Sequence, residues 1–324
     1  MPLLQVLDNK GSGSANLSFP LAHTYSIVAR DPETGCFGVA VQSHWFSVGS
    51  VVAWAEAGVG AVATQALVDV RYGPLGLALM RAGKSADEAL QVLLASDEGR
   101  DLRQVAMVDA QGRVAVHTGS RCIPEAGHEA GEGFSVQANM MLYPDVWPAM
   151  AQAYRSASGD FAERLLTALE AGQAAGGDIR GQQSACILIV KPVSTGRPWA
   201  DTVMDLRVED HPRPLEELRR LVRLHRAYAH MNCGDEWLGK GEVEQALREY
   251  AAADGLAPEN EEIRFWHAVT LAGAGRLEEA LPLFRDVFAR NPLWATLLER
   301  LKRVDLVSYD PDTMQRILSV WEPT

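Results

Sequence analysis

The residues with the clearest capacity for chemistry lie in Thr24–His44, TYSIVARDPETGCFGVAVQSH. Thr24–Asp31 and Phe37–Ser43 are rich in Val, Ile, Phe and Tyr and read as two strands. Between them, D-P-E-T-G supplies Asp and Pro to start a turn and Gly35 for a positive φ. If Asp31 pairs near Phe37, Thr24 lies opposite the end of the second strand and faces Gln42, Ser43 and His44. A threonine at the mouth of such a hairpin is a candidate nucleophile, provided that a cut before it frees an α-amine to serve as its base. The plain alternative is a strand threonine chosen for its β-branched shape. Gln42 and Ser43 read either as pocket residues or as strand-end groups pairing with backbone, and His44 could instead pack its ring against Trp45.

A second polar set comes from farther along the chain. Thr64 and Gln65 end the fourth strand at a comparable place and are expected to line the same pocket. The loop G-Q-A-A-G-G-D-I-R-G-Q-Q carries Asp178, Arg180, Gln182 and Gln183. It is either tied by an Asp–Arg pair or presents an Arg fork to a substrate carboxylate, with glutamines reading an amide or ureido group. Asn139, ending a strand with Gln137, is a further substrate-binding candidate. Asp109 and Gln111 belong to a turn and read as structural. The eight histidines form no ligand set, so neither a metal nor another cofactor is expected.

These residues need a scaffold. Apolar pairs follow at Val51–Glu56 and Gly60–Gln65, and Gly73–Ala82 reads as a helix stopped by Gly83. Ser85 with Glu88 forms a capping box that starts a second helix. Arg103–Asp109 and Arg113–Thr118 form a hairpin, and Gly133–Asn139 is another strand. Helices are predicted at about 144–157 and 160–174, and Ser184–Val190 and Thr202–Val208 close the series as strands. Strands and helices in separate runs argue for an α+β fold of stacked antiparallel sheets flanked by helices, not a parallel sheet. The H-P-R-P segment at 211–214 marks a boundary.

Beyond it the sequence is helical and repeats. Gly241, Ala246, Leu247, Tyr250 and Pro258 recur as Gly275, Ala280, Leu281, Phe284 and Pro292, each step being 34 residues. That period matches the tetratricopeptide pattern, with flanking helices at about 214–230 and 293–320 as caps. The expected division is therefore a leader or propeptide-like segment at 1–23, a domain at 24–210, and an all-α tetratricopeptide-like domain at 214–324.

The 324 residues carry 42 acidic and 30 basic side chains, a formal charge of −12 that argues against nucleic acid or an anionic membrane as partner. Four scattered cysteines without a C-x-x-C pair, and a start lacking signal-peptide character, point to the cytoplasm. No run of 18 apolar residues is present, so no membrane span is expected. The D-L-R-V-E-D-H-P edge strand suggests a homo-oligomer.

The stretches T-Y-S-I-V-A-R-D-P-E-T-G, G-V-A-V-Q-S, W-A-E-A-G-V-G-A-V-A-T-Q-A, Y-G-P-L-G-L, A-G-G-D-I-R-G-Q-Q-S-A and D-L-R-V-E-D-H-P resemble a bacterial family grouped by the domain of unknown function 1028. That family looks like a member of the N-terminal nucleophile (Ntn) hydrolase superfamily. The resemblance implies a four-layer αββα sandwich and amide hydrolysis by a chain-terminal Thr, Ser or Cys, and it carries over Thr24 alone. Proteasome-like members place a lysine on an inner strand, whereas Val39–Gln65 contains none. The expected activity is hydrolysis of a small amide or ureido compound, with a helical repeat domain for protein interaction or dimerisation. The competing expectation is a non-catalytic protein of the same fold that binds a small ligand and, through 214–324, a protein partner. Extensions in this family are sometimes labelled as peptidoglycan-binding, but the 34-residue repeat looks like a protein-binding unit.

Overall fold

The computed structural model describes residues 21–22 and 24–320, so most of the expected leader segment, residues 1–20 and 23, lies outside the described residues. The chain divides into two compact units, one ending at Leu218 and the other running from Arg219.

The first unit contains two antiparallel sheets. Strands β1 (Leu21–Ala22), β2 (Thr24–Arg30), β3 (Phe37–Ser43), β4 (Ala53–Glu56), β5 (Gly60–Leu67), β6 (Arg103–Asp109), β7 (Val114–Thr118), β8 (Gly127–Gly131), β9 (Phe134–Ala138), β10 (Ser184–Val190) and β11 (Thr202–Val208) supply them. One sheet has the order β1-β5-β6-β7, with β4 also on β5; the other has the order β11-β10-β3-β2-β9-β8. The first hairpin pairs as its turn chemistry predicts, Arg30 opposite Phe37 and Thr24 opposite Ser43. Three strands depart from expectation, the first being β1, which falls within the expected leader segment. β8 (G-H-E-A-G) has no β-branched or aromatic residue to announce it, and Val51 and Val52 belong to a short helical turn, α1 (Gly49–Val52), rather than to β4.

Alternation along each strand assigns one face to the opposite sheet and the other to helices. Val28, Phe37, Val39 and Val41 meet Ala61, Ala63, Ala106 and Val108 in one buried cluster between the sheets. On the outer face of the β5–β6 sheet, Val62, Val105 and Met107 pack on α2 (Tyr72–Arg81) and α3 (Ala86–Ser96). The Ser85–Glu88 capping box opens α3 as expected, with both reciprocal bonds formed. On the outer face of the β2–β3 sheet lie α4 (Val146–Ser156) and α5 (Phe161–Ala174). Both faces of the central strands β2, β3, β5, β6 and β10 are thus buried, which explains their largely apolar sequences.

A short helix, α6 (Pro198–Asp201), leads into β11, and α7 (Pro214–Gly239) follows H-P-R-P. The division between the units falls inside α7, and that helix runs well past the expected 230. The second unit continues with α8 (Val243–Leu256), α9 (Glu261–Gly273), α10 (Leu277–Arg290), α11 (Leu293–Arg303) and α12 (Pro311–Ser319). The 34-residue sequence period is also a backbone period. Gly241 and Gly275 both take a left-handed φ, +78° and +77°, a conformation that costs other residues steric strain. The amide after each closes the same helix end, Glu242 onto Trp237 O and Arg276 onto Leu271 O, both at 2.9 Å. Ala246 and Ala280 are fully buried, and Tyr250 and Phe284 occupy equivalent core positions. Among the described residues no helix is long and apolar enough to cross a membrane.

Candidate functional site

At one end of the β2–β3 sheet, register aligns four polar residues across four strands: Ser184, Ser43, Thr24 and Asn139. They share the face turned toward the other sheet, because Cys186, Val41 and Val28 on that face belong to the inter-sheet core. The next inward positions on the same face are also polar in part. Ser26 lies opposite Gln137, and Ser135 precedes them along β9. From the facing sheet come Gln65 and Gln104, themselves cross-strand partners.

These groups satisfy one another. The Gln65 amide accepts from Ser26 Oγ at 2.6 Å and donates to Gln104 Oε1 at 2.7 Å and to Thr24 O at 3.1 Å. Asn139 donates through its side chain to Gln104 Oε1 at 2.9 Å and through its backbone to Thr24 O at 3.1 Å. Gln104 donates in turn to Ala138 O and to Thr118 Oγ1, both at 2.9 Å. The Thr24 carbonyl therefore gathers side-chain and backbone donors from both sheets. Burying this many polar groups is tolerable only because each has a partner.

Thr24 itself has no solvent exposure, and its hydroxyl donates to Ala22 O at 2.8 Å. The expectation of a hydroxyl at an open rim is thus corrected. The reason is the preceding chain: Leu21 and Ala22 pair with Leu67 and Ala66 of β5, in the sheet opposite the one that Thr24 enters. Ala22, paired in one sheet, accepts the hydroxyl of Thr24, the first residue of the strand in the other, and so occupies it.

Strand parity sorts the other expected residues. Ser43, Gln65 and Asn139 share the Thr24 face, but Gln42 and Thr64 do not. Gln42 lies beside Tyr25 on the face toward α5, fully buried, and neither amide atom finds a hydrogen-bond partner among the described residues. Thr64 faces the α2–α3 side and donates to Asp69 O at 3.1 Å. The glycine-rich loop closes over the same end of the sheet. Gln183 N donates to Ser43 O, His44 N donates to Asp178 Oδ2, and His44 Nδ1 lies 3.4 Å from Gln182 O. Arg180 grips Asp178 through a two-pronged ion pair at 3.0 and 2.7 Å, the tied-loop arrangement, with its side chain 27% exposed. Gln183 donates to Asp210.

The sequence reading passed over Ser26, Gln104, Ser135 and Ser184. A visible signal existed for Ser26, a polar residue set among Tyr25, Ile27 and Val28, whereas Gln104 stands beside Arg103 at a strand end. Backbone strain marks the same end of the domain. Among the described residues four non-glycine positions have a left-handed φ; Ala66 and Met140 directly follow Gln65 and Asn139, and Ser47 lies three residues after His44. Such residues cost roughly 1–3 kcal/mol each and collect at functional sites.

Two facing antiparallel sheets, helices on their outer faces and a sealed polar cluster at one end define an α+β domain with a candidate site between its sheets. Residues 24–218 match the model of a family of unknown function, DUF1028, and the chain belongs to that family. The crystal structure of protein SPO2555 from Silicibacter pomeroyi, of the same family designation, is similar at 32% sequence identity with a TM-score of 0.57, over 62% of this chain and 85% of that one. No curated protein matches the sequence.

Proposed function

We propose that the first unit is an amide hydrolase of the N-terminal nucleophile type, whose Thr24 is freed by cleavage of the chain before it. One observation carries the reading: Thr24 begins a central strand at the point where the chain crosses between sheets, with its carbonyl held by Gln65 and Asn139. Helices outside each of two facing sheets support the αββα architecture that the resemblance implies. Cleavage between His23 and Thr24 would release the segment that pairs with β5 and give Thr24 a free amine. That amine takes the hydroxyl proton as Oγ bonds to the carbonyl carbon of a small amide or ureido substrate. The oxyanion forms beside N–H donors, the C–N bond breaks, and the leaving nitrogen takes the proton back. Water then hydrolyses the ester and restores the hydroxyl. An α-amine base suits this end, since the nearest β10 lysine, Lys191, follows the strand's opposite end.

The test is intact mass with N-terminal sequencing of chain purified from cells, alongside hydrolysis of a panel of small amides and ureido compounds. The expected chain starts at Thr24 and is active, whereas Thr24→Ala stays uncut and inactive. An uncut wild type together with unchanged hydrolysis by Thr24→Ala would sink the processed-nucleophile mechanism.

A second reading, a fold that binds without cutting, is favoured by the spent hydroxyl of Thr24 and the self-satisfied Arg180–Asp178 pair. In that reading the repeat unit is a tetratricopeptide-like interaction module. Its groove of about 390 Å³ is lined by apolar Leu247, Leu271 and Leu283 together with Arg248, and with Arg276 paired to Glu244 and Glu279. Titration calorimetry on the uncut chain separates the two readings: stoichiometric ligand binding without turnover supports binding alone.

A further inference from the structure

Strand β11 ends its sheet, and among the described strands it pairs only with β10. Its outer edge therefore offers a row of backbone donors and acceptors to another strand. Most exposed edges are blunted by charge, and β11 does carry Asp205 and Arg207 at its centre. Their order matters. In an antiparallel pairing of β11 with a second copy of itself, centred on Leu206, each Asp205 stands opposite the partner copy's equivalent of Arg207, and the reverse holds by symmetry. Charges that repel most intruders here attract their own copy.

The side chains are available for this exchange. Asp205 and Arg207 are 40% and 35% exposed and bond to each other along the strand, an arrangement that a cross-strand partner can replace. They lie on one face, since their β10 neighbours Leu188 and Cys186 share a face, so all four charges would align on one side of the joined sheet. An independent feature adjoins the edge. Trp199, in α6 immediately before β11, is 82% exposed, and Val203 is 40% exposed. In the same register Val203 stands opposite the second copy's equivalent of Glu209, and Trp199, four residues earlier, adjoins that end of the joined edge. Large exposed aromatics of this kind mark association surfaces.

We propose that this edge is a two-fold dimer interface, with a second copy of this chain continuing the β11 sheet. The inference does not depend on the hydrolase reading, and no residue of the Thr24 cluster takes part.

The experiment measures the mass of the full chain by sedimentation and light scattering across concentrations up to about 50 μM, a range suited to a small interface. The expected species is twice the 35.3 kDa chain. Asp205→Arg and Arg207→Asp, made singly, set like charges opposite each other twice per dimer and should each weaken association roughly tenfold or more. The double variant D205R/R207D restores opposite charges and should return to within about threefold of wild type, an outcome that general damage to the strand cannot produce. Leu206→Cys, at the symmetry centre, should form a disulfide-linked dimer under mild oxidation faster than wild type, whose exposed Cys233 serves as the background. A chain that stays monomeric, a dimer indifferent to the single charge changes, a double variant that fails to recover, or no enhanced cross-linking through Leu206→Cys would each overturn the proposal.

Discussion

The layer between the two sheets has two ends built on the same strands and the same faces, and they differ in chemistry. Toward the β2–β3 turn, Val28, Phe37 and Val39 interlock with Ala61 and Val108 in a wholly apolar cluster. Toward Thr24 the same faces carry Ser26, Ser43, Gln65, Gln104, Gln137 and Asn139, all with no solvent exposure. Both ends are fully buried, so burial does not distinguish them. A buried amide network gains little net stability over an apolar core of equal volume and becomes costly when any member is removed. The apolar end holds the domain together, whereas the polar end holds particular atoms in place, above all the Thr24 carbonyl.

The sharpest way to break this comparison is to damage each end separately. Phe37→Ala, at a position with 1% exposure, should lose about 3–5 kcal/mol in chemical denaturation, from lost transfer energy plus the cavity left behind. It should leave the arrangement around Thr24 intact in a crystal structure. Gln104→Ala removes the hub that Gln65, Asn139, Thr118 and Ala138 share. It should cost about 2–3 kcal/mol by stranding those partners. Unlike Phe37→Ala, it should loosen Asn139 and Gln65, seen as changed side-chain resonances. Equal disturbance of the Thr24 end by both variants would erase the distinction.

Part of this contrast could be read in the sequence. The D-P-E-T-G turn set the register that puts Thr24 opposite Ser43, and the Ser85–Glu88 pair announced α3. The parity of each strand could not be read. A strand buried on one face alternates polar and apolar residues and so declares which way each side chain points. In V-A-V-Q-S and A-V-A-T-Q both faces are buried, so nothing shows that Ser43 and Gln65 turn inward while Gln42 and Thr64 turn toward helices. The pairing of Leu21 and Ala22 with β5 was equally hidden, because two residues in a different sheet leave no periodic trace. The helical repeat was legible because five positions recur over 34 residues and the local turn at each glycine is the same.

A smaller effect tests the strain at the polar end. Ala66 and Met140 have φ values of +73° and +60°, next to Gln65 and Asn139. Glycine at either site removes a left-handed penalty of roughly 1–2 kcal/mol and adds unfolded-state freedom of about 0.4–1 kcal/mol. Ala66→Gly should therefore stabilise the domain by about 0.5–1 kcal/mol, measured as a raised denaturation midpoint. Substituting glycine at an unstrained position of the apolar end, as in Ala61→Gly, should do the reverse.

The smallest expected effect concerns the outer end of the polar network. Gln104 donates to Thr118 Oγ1, and Thr118 Oγ1 lies 2.9 Å from His128 Nδ1, within hydrogen-bond distance. Desolvation, and secondarily the nearby His117, hold the His128 pKa below its ordinary value. The sign of the linkage follows. As pH falls below about 6.5 the unfolded chain takes up this proton before the folded one does, so stability declines from there down through the folded-state pKa and then levels off. The decline should be modest, because His128 is exposed at the surface, and it should be missing from the His128→Gln variant, whose amide can hydrogen-bond Thr118 as donor or acceptor without titrating. Denaturation midpoints for both proteins between pH 8 and pH 5 provide the comparison. A wild type and a variant that lose stability in parallel would detach His128 from the network and leave Thr118 as its outermost member.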